Sequence, residues 1–127
     1  MSVGEKANDF EKKRQLSFLT TFDRKFGQFR KELERLRRAA GETVPPGGKW
    51  PTEGLERNAR SLVGAGAVYG LPEVAEWARD FSWKLDAIRN ETTPPSNEDL
   101  AWLDGRIGDL ETICTEAAAR LGGPAAE

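Results

Sequence analysis

Apolar residues in the first third of the chain recur three and four positions apart: Leu19, Phe22, Phe26, Phe29, Leu33, Leu36 and Ala40. That spacing gathers them into one stripe and predicts a long amphipathic helix from about Asp9 to Ala40. Arg24, Lys25, Arg30, Lys31, Arg35, Arg37 and Arg38 lie between them, and Gly41 follows the last basic turn, where a helix commonly ends. Glu42 to Pro51 carries three prolines and two glycines, which no helix crosses. Thr52 is placed to cap a second helix, in which Leu55, Ala59, Leu62, Gly66 and Tyr69 repeat at four, three, four and three. Gly70 breaks the chain and Pro72 suits the first turn of a third helix, with Val74, Trp77, Ala78, Phe81, Leu85 and Ile88 on one face. A loop from Thr92 to Ser96 leads to a fourth, capped by Ser96 or Asn97. Leu100, Leu103, Ile107, Leu110, Ile113 or Cys114, Ala117 and Leu121 line its inner side.

No strand alternation and no internal repeat interrupts this pattern. The expected fold is all-α: an antiparallel up-down four-helix bundle forming one domain over 1–121. The first ten or so residues are expected to add a short leading helix or to stay loose. Residues 122–127 read as a tail or the start of a linker.

Charge and composition narrow the function. With 19 basic against 21 acidic residues, nothing favours nucleic acid or an anionic membrane as partner. No apolar run approaches the ~20 residues of a membrane span, so the expected address is cytoplasmic. One cysteine, Cys114, excludes an intramolecular disulfide and agrees with a reducing compartment. Histidine is absent altogether. Its absence removes imidazole acid–base catalysis, the commonest zinc ligand and phosphohistidine chemistry together. Glu98, Asp99, Asp104, Asp109 and Glu111 do not fall into a carboxylate-bundle motif, and no glycine loop follows a strand. No catalytic residue, metal site or cofactor is therefore expected.

The second helix carries the one informative motif, Arg60-Ser61-Leu62-Val63-Gly64-Ala65-Gly66-Ala67-Val68-Tyr69-Gly70-Leu71. Two glycines inside a helix cost about 1 kcal/mol each relative to alanine, and such a pair usually marks a close approach to the backbone. Helical geometry sets Glu56, Arg60, Val63, Gly64 and Ala67 about 100° round from the buried stripe, as a small, mostly apolar strip with an arginine at its middle. The alternative reading of Arg60 is a solvated side chain paired with Glu56 one turn earlier.

This segment resembles the signature of histidine-containing phosphotransfer (HPt) domains, which runs roughly His-x-Leu-Lys-Gly-(Ser/Ala)-(Ala/Gly)-x-x-(aromatic or aliphatic)-Gly. Leu62, Gly64, Ala65, Gly66, Tyr69 and Gly70 match it, and Leu71 to Arg79 is similar to the family's following helix. The close match spans about 25 residues. Two positions depart from the pattern: Arg60 stands at the phosphoacceptor and Val63 replaces the lysine that helps neutralise the phosphoryl group. A guanidinium stays protonated and is no nucleophile, so the family's activity is not implied. What the resemblance implies is a degenerate member: a bacterial-type signalling module that binds a receiver or histidine kinase domain without accepting phosphate. Its contact strip would be Glu56, Arg60, Val63, Gly64 and Ala67. The alternative is a structural bundle that self-associates as a homo-oligomer, with Trp50 in the proline-rich loop and Trp83, off its helix's main stripe, as candidate contact surfaces.

Overall fold

The computed structural model describes residues 3–41, 50–91 and 93–122, with side chains from residue 9 onward. Among them are five helices and no strand: α1 (Val3–Thr20), α2 (Phe22–Ala40), α3 (Glu53–Val68), α4 (Pro72–Arg89) and α5 (Asn97–Arg120). The fold is an all-α bundle. Most of the proline-rich loop and residues 123–127 of the expected tail lie outside the described residues.

The long first helix expected over Asp9–Ala40 is corrected to two helices, divided at Thr21. Thr20 Oγ1 donates to the Ser17 carbonyl at 2.8 Å and Thr21 Oγ1 to the Phe18 carbonyl at 2.7 Å. The Thr21 N–H also closes on Phe18, at 3.1 Å, three residues back instead of four. Two adjacent β-branched residues whose hydroxyls compete for backbone carbonyls weaken the ladder there. The predicted stripe survives in α2, which buries Phe22, Phe29, Leu33 and Leu36. Among the described side chains of α1, only Phe18 and Leu19 are buried.

The core forms where these stripes converge. Phe29 meets Trp77 and Phe81 edge-on, with ring centroids 5.5 and 5.7 Å apart, while Trp77 stacks on Phe81 at 4.6 Å. A buried indole usually finds a partner for its N–H, and Trp77 Nε1 donates to the Arg106 carbonyl at 2.6 Å. Trp50 corrects the expectation of an exposed loop tryptophan: it is 1% exposed and belongs to the core cluster. Its bulk outweighs the polarity of the loop that carries it.

α3 and α4 meet in opposite sense, as do α4 and α5. Gly66, near the end of α3, lies against Ala75 at the start of α4, and Glu56 at the start of α3 meets Arg89 at the end of α4. Between α4 and α5 the pairs are Trp77 with Arg106, Phe81 with Trp102, and Lys84 with Asp99. The α3–α4 corner is closed by Leu71 N–H to Gly66 O at 2.8 Å and Gly70 N–H to Ala67 O at 3.3 Å. This is a Schellman turn, and it needs the left-handed backbone that Gly70 adopts at φ +67°.

Ser96 caps α5 as expected, in a reciprocal box. Its hydroxyl accepts from Asp99 N–H at 3.0 Å, and the Asp99 carboxylate accepts from Ser96 N–H at 3.1 Å. The hydrogen bond from Lys84, with those from Ser96, outweighs partial burial and holds the Asp99 carboxyl below its ordinary range. A depressed folded pKa contributes stability above the unfolded value, and that contribution is lost as pH falls through the folded one.

Candidate functional site: the outer face of α3

The helix bearing the motif is amphipathic because Leu55, Ala59, Leu62 and Gly66 all turn into the core. Its outer side then divides into two flanks. Taking Arg60 as the centre, Glu56 and Val63 lie about 40° and 60° to one side, and Gly64 and Arg57 about 40° and 60° to the other. α4 covers the first flank and leaves the second open.

On the covered flank, Glu56 is only 4% exposed, which corrects its place in the expected contact strip. Its Oε2 accepts from Thr52 Oγ1 at 3.0 Å and its Oε1 from Arg89 Nη1 at 2.8 Å. Arg89 also donates to Asp86. A buried carboxylate is tolerable only with such partners, and these are all used inside the bundle. Thr52 takes the N-cap position of α3, yet its hydroxyl serves Glu56 instead of the helix's free N–H groups. Val63, on the same flank, is half-buried against the core.

On the open side, the Arg60 side chain is 70% exposed, and its guanidinium stands 3.8 Å from Glu56 Oε1. The i,i+4 pair read from the sequence is therefore present. At that distance and exposure it contributes a few tenths of a kcal/mol and leaves Arg60 able to turn toward another anion. Gly64 and Ala67 are exposed, and a Cβ built on Gly64 meets nothing within 4 Å. Gly66 is the opposite: a Cβ there would come within 2.8 Å of the Ala75 nitrogen and 3.0 Å of the Leu71 carbonyl oxygen. Of the two glycines, one lets α4 approach and the other smooths the surface.

The structure adds Arg57, Ser61 and Val68 to this face, the last 68% exposed. From Arg57 to Val68 there is no carboxylate, so the open face is cationic at one end and small and apolar at the other. The apolar end is fixed by α1. Arg14 Nη2 donates to the Val68 carbonyl at 3.1 Å, Gln15 Nε2 donates to the Tyr69 carbonyl at 2.8 Å, and Phe18 stacks on the Tyr69 ring at 4.4 Å. Helical periodicity within α3 could place Arg57 and Val68 on this face, whereas support from residues 54 positions away has no local signal.

The other reactive groups lie apart from this face. Cys114 is buried, and its thiol is pushed up to about 12, first by burial and then by the charge of Glu73, so it stays protonated and unreactive. Among the described residues no three Cys, Asp or Glu side chains gather as a metal site, and no helix is long and apolar enough to cross a membrane. Trp83, by contrast, is 78% exposed on α4. No family profile, curated protein or solved structure matches the chain.

Proposed function

We propose that the chain is a non-catalytic, phosphotransfer-like adaptor that docks a receiver domain (the aspartate-bearing response-regulator domain) or a histidine kinase through the open face of α3. The observation that carries this reading is the setting of Arg60. The residue at the motif's phosphoacceptor position is outward-facing, cationic, loosely paired, and followed by the small surface of Gly64 and Ala67. A guanidinium offers five donors in a planar fork that matches carboxylates, so it suits an acidic phosphorylation pocket as a charged plug. Gly64 and Ala67 let the partner's surface come close to the helix, and Val68 supplies apolar contact at the rim. With no histidine in the chain, phosphoryl transfer through an imidazole is closed to it, and binding alone is left as the signal.

Calorimetric titration against isolated receiver and kinase domains, with and without a phosphoryl mimic, tests the reading. Saturable one-to-one binding is expected, lost or much weakened in Arg60→Glu with unchanged helicity. Binding insensitive to Arg60→Glu would remove this residue from the account, and no binding to any such domain would end the adaptor reading.

A further inference from the structure

The outer face of α4 has no role in the adaptor reading. Relative to Trp83, the exposed residues Pro72, Glu76, Arg79, Asp80, Asp86, Ala87 and Asn90 all fall within about 60° of its direction. The face therefore runs the whole helix, about 27 Å, with one large aromatic side chain about two-thirds of the way along and midway between Glu76 and Asn90. An indole 78% exposed leaves most of its apolar area in water, which a solvated surface normally avoids.

The order of charges along this face identifies what covers it. Suppose a second copy packs its α4 antiparallel across the first, about a two-fold axis at Trp83. Such an axis sets each residue against one equally far on the other side of Trp83 and on the same flank of the face. Arg79 lies four residues before Trp83 and about 40° to one flank; Asp86 lies three residues after it and about 60° to the same flank. Each Arg79 thus meets the other copy's Asp86, twice over. Glu76 falls opposite Asn90, and Asp80 opposite Ala87. No two like charges are opposed anywhere along the face. Within one copy Arg79 and Asp86 are seven residues apart, and Arg79 makes no ion pair among the described residues. The Asp86 carboxylate, which accepts from Arg89, remains 54% exposed and has capacity for a second donor.

We infer that the protein forms a homodimer through α4, antiparallel about Trp83, with two reciprocal Arg79–Asp86 ion pairs flanking the stacked indoles. One helix per copy is a small interface, so the dimer is a weak one and its population depends on concentration. The dimer uses α4 alone and is independent of the adaptor reading.

Sedimentation velocity from low micromolar to near-millimolar protein tests it, with circular dichroism to confirm that each variant is folded. The chain is expected to pass from monomer to dimer, and Trp83→Ala to weaken the dimer at least about 30-fold, as for a central hot-spot residue. Arg79→Asp places aspartates opposite each other in its own dimer, and Asp86→Arg places arginines opposite each other. Each variant alone is expected to stay monomeric. Mixed one to one, the two variants again set opposite charges against each other at both places. One place holds the native pair and the other the same pair reversed, so the heterodimer is expected to form. A chain monomeric at every concentration would overturn the inference and leave Trp83 to some other protein. A dimer indifferent to Trp83→Ala, or single variants that fail to complement when mixed, would overturn it equally.

Discussion

The α3–α4 seam and the attachment of α1 are two ways of joining helices. At the seam the backbones themselves come together: Gly66 leaves room for the Ala75 nitrogen, Gly70 turns the corner, and Glu56 ties Thr52 to Arg89 at the far end. Among the described residues, α1 is held instead by side chains of its second half. Arg14 and Gln15 reach carbonyls at the end of α3, and Phe18 stacks on Tyr69, while Phe10 stays exposed. A backbone seam has no slack, because close-packed main chain cannot re-rotamer away from an intruding atom. A side-chain attachment can loosen by degrees. The seam is accordingly expected to be part of the global unfolding unit, and α1 to open below it.

Gly66→Val is expected to have the largest effect. Its Cβ and methyls would meet main chain, costing about 3 kcal/mol in chemical denaturation of the whole bundle. Glu56→Ala comes next, at about 2 kcal/mol in the same measurement, because it strips acceptors from Thr52 and from a mostly buried Arg89. Phe18→Ala should divide the two regions. Amide exchange in α1 is expected to rise by an amount equivalent to about 1–2 kcal/mol while the global midpoint barely moves. A midpoint that falls as far as in Glu56→Ala would mean that α1 and the seam are one unit. Gly64→Ala is the smallest change and has the opposite sign. Nothing lies within 4 Å of the added methyl, so about 0.5–1 kcal/mol of stabilisation is expected in thermal melting.

The two glycines also mark how far the sequence can be read. Periodicity alone placed Leu55, Ala59, Leu62 and Gly66 in the core and made the chain all-α, because burial of a stripe is a one-dimensional signal. It also set Gly66 in the stripe and Gly64 outside it, but could not show that Gly66 meets the α4 main chain at Ala75, since that depends on which neighbour lies where. Glu56 was misplaced for the same reason. It is only about 40° from Arg60 on the wheel, and what buries it is α4 and Arg89, 33 residues away. The division at Thr21 was hidden because the apolar spacing continues across it, and the two threonine hydroxyls that weaken the ladder carry no hydrophobic signature. Trp50 stands among prolines and glycines that suggest an exposed position, but an indole's apolar area outweighs the company it keeps in sequence. The exposed Arg60 and Trp83, by contrast, were legible as positions off their helices' stripes.

Cys114 lies beneath the junction of α1 and α2, in a groove it shares with Leu16, Leu19, Phe22 and Phe26. Only a thiolate attacks an alkylating reagent at a useful rate, and a buried thiol titrating near 12 supplies almost none at neutral pH. Modification is therefore expected to follow openings that uncover the thiol, and α1 supplies part of the wall through Leu16 and Leu19. The one thiol in the chain then serves as a built-in reporter: its labelling is expected to quicken as α1 loosens, with no probe added.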